Sequence, residues 1–278
     1  MNDVTTYDRL PQRDVEIEGF KLHLVEAGAG FPIVLVHGSP TSSVLFRRQI
    51  AVLSHSFRVI APDLLGFGQS AVPLGGTAFR QQAAVLRVLL DHLGLERYAL
   101  LGHDWGGPIA MASAIQRPEQ VSQLVLVNTS LRPEFKPPWY WKPFVAPGLG
   151  ECLLVRLNLF GIGLPLMMRA ARERSLHRRY LNPLRRADTR RTVLSLERLT
   201  GYAGLMREVV DALPSMQVPT LILWGEPDGY FRPPEMERLH ALIPHAKVHR
   251  IPKGGHFPQE DAPEAVTDAL LAFLRDGG

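Results

Sequence analysis

The sequence predicts an α/β fold in which a mostly parallel sheet carries helices on both faces. Short apolar runs alternate with helical periodicities on both sides of residues 132–213. The run Ile33–Val36 is apolar throughout, which is typical of a central strand covered on both sides. Residues 132–213 contain no run typical of a strand. We therefore predict that they form a helical cap, inserted into a core of residues 1–131 and 214–278.

The individual elements follow from hydrophobic periodicity and turn residues. Residues 15–18 and 22–25 alternate apolar and polar around Gly19, which predicts an antiparallel hairpin at one edge of the sheet. Further strands are predicted at 33–36, 57–61, 98–102, 121–127, 220–224 and 247–251. Helices are predicted at 45–53, 79–93, 108–116, 234–242 and 263–275. The cap begins with five prolines between residues 133 and 147 and continues as arginine-rich helix.

Composition excludes several classes of protein. A hydrophobic fraction of 46% is enough for a large core. The sequence contains no run of 18 apolar residues, which is the length that a membrane-spanning helix needs. The first nine residues contain acids and no apolar stretch, so a signal peptide is not expected. The single cysteine, Cys152, excludes an intramolecular disulfide. We expect a cytoplasmic protein without stable membrane insertion.

The positive charge of the chain is concentrated in one part of the cap. Residues 169–191 hold nine arginines against two acids, although the net charge of the whole chain is only +4. Such a segment can bind an anionic partner or a membrane surface. Tyr180 is the only tyrosine, phenylalanine or tryptophan among these arginines, and no nucleic-acid-binding motif occurs. We therefore predict a solvated helical face and no nucleic-acid partner.

The turn between the predicted strand 98–102 and the helix 108–116 contains the first candidate for chemistry. Glycines flank Asp104 on both sides in this turn. A sharp glycine-bounded turn between a strand and a helix is the setting of a nucleophile elbow, which presents its central side chain above the sheet. A carboxylate at that position can attack carbon and form an ester that water then cleaves. Alternatively, Asp104 only caps the following helix.

An acid and a histidine follow this aspartate along the chain, each just after a predicted strand. Asp228 and His256 therefore lie at the carboxyl edge of the sheet, where such sheets bind ligands. His256 would deprotonate water, and Asp228 would orient the imidazole. Glu226 is the alternative acid, but the extra residues before Asp228 let its shorter side chain turn back towards the imidazole. Backbone N–H groups of Ser39 and Trp105 are predicted to stabilise the oxyanion.

The segment Gly102–Gly107, which reads GHDWGG, resembles the aspartate-nucleophile branch of the α/β-hydrolase superfamily. That branch contains the haloalkane dehalogenases and the epoxide hydrolases. Three further segments resemble the dehalogenase forms more closely, namely 37–43, 63–70 and 256–261. The resemblance covers residues 20–130 and 215–275, and it implies an α/β-hydrolase fold beneath a helical cap.

The resemblance also implies a site for the departing halide. In dehalogenases the tryptophan after the nucleophile, here Trp105, donates an N–H to the halide. The second donor is an asparagine at position 39 or a tryptophan of the cap. Position 39 is Ser39 in this chain, which leaves Trp139 or Trp141. The alternative role of these two cap tryptophans is to anchor the cap.

Epoxide hydrolases, the other group in this branch, protonate the opening ring through two cap tyrosines. Tyr140, Tyr180 and Tyr202 are the candidates here. The tyrosine–arginine pairing that is common late in the cap of epoxide hydrolases is missing from residues 201–207.

The resemblance as a whole implies a hydrolytic haloalkane dehalogenase that forms a covalent aspartyl ester. Such an enzyme needs no metal or organic cofactor, and its partners are a small hydrophobic halogenated substrate, water and the released halide. An epoxide hydrolase and a β-lactone-processing enzyme with the same three residues are the alternatives. A non-catalytic small-molecule receptor on the same fold is a further alternative, which the complete set of Asp104, Asp228 and His256 disfavours.

Overall fold

The computed structural model describes residues 7–168 and 174–275, and these contain one eight-stranded sheet. The strand order is β1-β2-β4-β3-β5-β6-β7-β8. β1 pairs antiparallel with β2, β2 pairs antiparallel with β4, and all other pairs are parallel. The predicted mostly parallel sheet with an edge hairpin is therefore confirmed. The strands are β1 Gln12–Ile17, β2 Phe20–Ala27, β3 Pro32–Val36, β4 Arg58–Pro62, β5 Tyr98–His103, β6 Val121–Val127, β7 Thr220–Glu226 and β8 Lys247–Pro252.

The central strands are buried because helices cover both faces of the sheet. All six residues of β5 are buried, and so are all but the first residue of β3. The continuous apolar runs in the sequence thus mark the centre of the sheet, and the alternating runs mark its edge. The helices of the core are Arg47–Leu53, Phe79–His92, Gly106–Ala114, Pro233–Leu242, Pro258–Asp261 and Pro263–Arg275.

Between β6 and β7 the described residues form helices and turns but no strand. This agrees with the predicted cap, whose boundaries at 132 and 213 remain a prediction. The arginines at 169 and 172 fall outside the described residues, as does most of the N-terminal stretch. No helix in the described part of the chain combines the length and apolar character that crossing a membrane requires. The cap helices are Lys142–Val145, Leu159–Met167, Arg174–Leu181, Ala187–Glu197 and Tyr202–Ala212.

A buried ion pair ties the core together beneath the cap. Arg47 donates to both carboxylate oxygens of Glu260, and the side chains of both residues are 1% exposed. Tyr180 of the cap donates its hydroxyl to the same carboxylate. Glu260 lies four residues after His256 in the chain, so this network also fixes the segment that carries the candidate base.

We expect Arg47→Met to destabilise the protein by about 3–5 kcal/mol, because it leaves the Glu260 carboxylate buried without a cation. Methionine fills a similar volume, so loss of packing contributes little. Equilibrium urea denaturation would measure the change in the free energy of unfolding. The matched control is Arg80→Met, which breaks the exposed pair with Glu208 and should cost less than about 1 kcal/mol. Similar small losses in both variants would show that the buried pair contributes little.

Candidate active site

Asp104 sits in a strained turn between β5 and the helix Gly106–Ala114. Its φ angle is 51°, a left-handed conformation that a residue with a side chain adopts only when its surroundings enforce it. Neighbouring backbone and side-chain atoms pack tightly around this turn. A Cβ atom on Gly106 would lie 2.4 Å from the carbonyl oxygen of His37, and one on Gly38 would lie 2.2 Å from Asp104 Oδ2. Glycine at these two positions lets the turn fold tightly and lets the backbone after β3 approach the carboxylate.

The Asp104 carboxylate is buried and accepts hydrogen bonds from two backbone N–H groups. Ser39 N–H donates to Oδ2 at 2.8 Å, and the N–H of Trp105 also donates to the carboxylate. These are the two groups predicted to stabilise an oxyanion. Burial raises the pKa of Asp104 to about 7, against the lowering effect of the nearby His256 charge and of these two N–H groups. The negative charge of Glu197 adds to the increase.

His256 lies between Asp104 and Asp228. Its Nδ1 is 2.9 Å from Asp228 Oδ2, and its Nε2 is 3.7 Å from Asp104 Oδ1. The second distance is outside hydrogen-bond range. Burial alone would lower the pKa of His256, but the charge and hydrogen bond of Asp228, assisted by the charges of Asp104 and Glu197, raise it to about 9.

Backbone and side-chain donors hold Asp228 in place. Its Oδ1 accepts from the N–H groups of Tyr230 and Phe231 at 2.7 and 3.0 Å. Its Oδ2 accepts from the amide of Asn128 at 2.8 Å, in addition to the imidazole. Glu226, the alternative acid of the sequence analysis, instead pairs with Arg250 at the surface.

Two indole N–H groups converge on a single carboxylate beside Asp104. Trp105 Nε1 donates to Glu197 Oε1 at 3.0 Å, and Trp141 Nε1 donates to Glu197 Oε2 at 2.7 Å. The hydroxyl of Tyr230 donates to the same Oε2 at 2.8 Å. Trp105 and Trp141 are both predicted halide donors, and in the structure both indoles donate to the side chain of Glu197 instead.

The other cap residues predicted for the site, one tryptophan and three tyrosines, do not bind the Glu197 carboxylate. Trp139 is 73% exposed, whereas Trp141 is 8% exposed. Tyr140 donates its hydroxyl to the carbonyl of Gly229. Tyr180 donates to Glu260, as described above. Tyr202 packs edge-on against Trp105 and donates its hydroxyl to the backbone at 2.8 Å.

Burial also makes these tyrosines weaker acids. It raises the pKa values of Tyr140, Tyr180 and Tyr202 above the ordinary value of a tyrosine. None of the three borders the cavity at Asp104 among the residues that the structure describes.

That cavity has a volume of about 10 Å³, roughly what one water molecule needs. Asp104, His256 and Glu197 border it together. Apart from Ser39, its remaining walls are apolar or aromatic and include Phe160 and Met167 of the cap helix Leu159–Met167. A substrate must therefore displace cap side chains to reach the carboxylate.

Sequence reasoning missed three polar residues of this site, Glu197, Asn128 and Tyr230. Asn128 directly follows β6, so its place at the carboxyl end of a predicted strand was a usable signal. Glu197 had no such signal, because it follows an arginine-rich helical stretch and precedes Arg198. In that setting a glutamate is typical of a surface ion pair.

Comparison with known proteins supplies a family context for this geometry. Residues 32–263 match the α/β hydrolase fold family. The chain is 36% identical over 272 residues to haloalkane dehalogenase 2 of Mycobacterium tuberculosis, covering 90% of each protein. It is 30% identical over 280 residues to a cis-3-alkyl-4-alkyloxetan-2-one decarboxylase of Shewanella oneidensis, covering 93% of this chain and 86% of the relative.

A solved structure agrees with these relatives. The haloalkane dehalogenase DatA from Agrobacterium tumefaciens superimposes with a TM-score of 0.89 at 26% identity, covering 98% of each chain. The match extends over the cap as well as the core.

Proposed function

The chain belongs to the α/β-hydrolase family, and from that premise we propose that it hydrolyses carbon–halogen bonds of aliphatic compounds through a covalent ester on Asp104. The observation that carries the proposal is the convergence of Asp104, His256 and Asp228 at the carboxyl edge of the sheet. The dehalogenases among its relatives support the halogenated substrate class.

In the first step, an Asp104 oxygen attacks the carbon that bears the halogen. A carbon–oxygen bond forms, and the carbon–halogen bond breaks with its electron pair leaving on the halide. Asp104 sits in the strained turn and borders the cavity, and aromatic side chains form much of the rest of the wall.

In the second step, His256 removes a proton from water, which attacks the carbonyl carbon of the ester. Esterification abolishes the Asp104 charge, which is one of the charges that raise the pKa of His256. The pKa of the imidazole therefore falls once the ester has formed, and a larger fraction of His256 is then neutral and able to accept a proton from water. The N–H groups of Ser39 and Trp105 are placed to stabilise the oxyanion, and the products are an alcohol and the regenerated carboxylate.

Opening of a strained oxygen ring, an epoxide or a β-lactone, is a second candidate for the same nucleophile. The observation that favours it is Glu197, whose carboxylate occupies the indole donors that a halide would need. A relative whose substrate is an oxetan-2-one, the ring of a β-lactone, adds support.

The test of the proposal is halide release from a panel of brominated and iodinated alkanes by the purified protein. Halide should appear with wild-type protein and be absent with Asp104→Asn, which serves as the background. An epoxide panel is assayed for diol in parallel. Diol without halide would replace the first candidate by the second, and halide release that persists in Asp104→Asn would refute the role of Asp104.

A further inference from the structure

Glu197 is a buried acid without a cationic side chain bound to it. It is 4% exposed, and no lysine or arginine within residues 7–168 and 174–275 forms an ion pair with it. Its three partners are the neutral donors Trp105, Trp141 and Tyr230. A buried carboxyl group without a cation is expensive to keep in a folded protein, and such groups concentrate at functional sites.

The protonation state of Glu197 affects the charges of the two groups that share its cavity. Asp104 and His256 border the same cavity, and both interact electrostatically with Glu197. Burial raises the pKa of Glu197, although the hydrogen bonds from Tyr230, Trp105 and Trp141 oppose the increase. The Tyr230 hydroxyl can reverse its hydrogen bond and accept, so the site accommodates either charge state of Glu197.

We propose that Glu197 is the proton donor to a leaving oxygen, as in an epoxide, so that the site supports the second candidate reaction, ring opening, in addition to halide displacement. The indole N–H groups hold the carboxyl group at the wall of the cavity that Asp104 also borders. A halide leaves without a proton, and the ionised Glu197 competes with it for both indoles. An alkoxide is a much poorer leaving group and departs readily only when an acid protonates it. This inference rests on the proposed ester at Asp104.

The ring-opening step balances with the groups that are present. An Asp104 oxygen bonds to a ring carbon, and the carbon–oxygen bond of the ring breaks towards oxygen. That oxygen takes the proton of Glu197, which leaves a hydroxyalkyl ester on Asp104 and a carboxylate at Glu197. Water then hydrolyses the ester with His256 as the base, and the proton on His256 returns to Glu197 through solvent.

The test compares 1,2-epoxyhexane with 1-bromohexane, two probes of equal chain length. Glu197→Gln should lower opening of the epoxide by about 10²- to 10⁴-fold, the usual contribution of a general acid. It should not slow bromide release from bromohexane, because the glutamine amide is neutral and no longer competes as an anion. The control is Glu208→Gln, an exposed glutamate of the cap, which should leave both rates at the wild-type values.

A pH profile separates this role from a structural one. Ester formation from bromohexane needs ionised Asp104, so its rate rises with pH through the pKa of that group. Because the Glu197 charge helps to raise this pKa to about 7, the midpoint should move to lower pH in Glu197→Gln. Epoxide opening by wild-type protein also needs protonated Glu197, so its rate relative to bromide release should fall as the pH rises.

Three results would overturn the inference: an unchanged epoxide rate in Glu197→Gln, equal losses with both probes, or a ratio of wild-type rates that does not vary with pH. The last measurement needs no variant, so it decides the question even if Glu197→Gln fails to fold. The absence of any covalent adduct from either probe on His256→Phe would instead refute the ester at Asp104, which distinguishes the two failures.

Discussion

Asp104→Asn should slow formation of the covalent ester by about 10⁴-fold or more, the loss that follows removal of a catalytic nucleophile. The amide has nearly the same shape as the carboxylate but lacks its negative charge, so it cannot attack carbon effectively. Fold and substrate binding should survive, because the strained turn is set by the backbone around Gly38 and Gly106. Intact-mass measurement of a single turnover reports the ester directly, whatever the leaving group is.

The control for this variant is Asp211→Asn, which makes the same chemical change at an exposed position of the cap. It should form ester at the wild-type rate. Peptide mapping must show that asparagine is still present at position 104, because deamidation would regenerate the nucleophile. An Asp104→Asn protein that forms ester without deamidation would place the nucleophile elsewhere.

The sequence was sufficient to predict the part of the site that the sheet positions. β5, β7 and β8 are parallel and end at the same edge, so any residue just after them arrives at one place. Asp104, Asp228 and His256 each follow one of these strands. Their proximity depends on strand direction and strand order. Apolar runs and turn residues predict the parallel direction, and the structure supplies the order.

The contribution of the cap could not be predicted in this way, because no sheet fixes its register. Trp139 and Trp141 are two residues apart in one short turn, yet one points to solvent and the other to Glu197. Hydrophobicity alone predicts the same degree of burial for both tryptophans. Glu197 is recognisable only when the fold brings Trp105, Trp141 and Tyr230 around it, since its sequence neighbours indicate a solvated helix.

The glutamate changes what the rest of the site can do. In the proposed mechanism, Asp104, His256 and Asp228 would serve a haloalkane, an epoxide or a β-lactone equally well, because each reaction would pass through an ester or acyl bond to Asp104. Discrimination must therefore come from the groups that receive the leaving atom. Two indole N–H groups suit a halide, but a carboxyl group held between them can also supply a proton, which only an oxygen requires.

His256→Phe should let the ester form and then persist, because it removes the base that the second step needs. We expect hydrolysis of the ester to slow by about 10²- to 10⁴-fold, the usual contribution of a general base. Loss of the imidazolium charge also removes an effect that lowers the pKa of Asp104, so the nucleophile should need a higher pH to ionise. Trapping is therefore best attempted at pH values above about 8, since the wild-type pKa is already about 7.

The mass of the trapped adduct identifies the leaving group. A bromoalkane adds its alkyl group alone, because bromide departs, whereas an epoxide adds its whole mass, because the leaving oxygen stays attached to the carbon chain. The control is His249→Phe, the same substitution at an exposed histidine of β8, which should turn over without accumulating adduct. If His256→Phe still hydrolyses its ester at the wild-type rate, another group activates the water, and the geometry around Asp228 serves only to hold the fold.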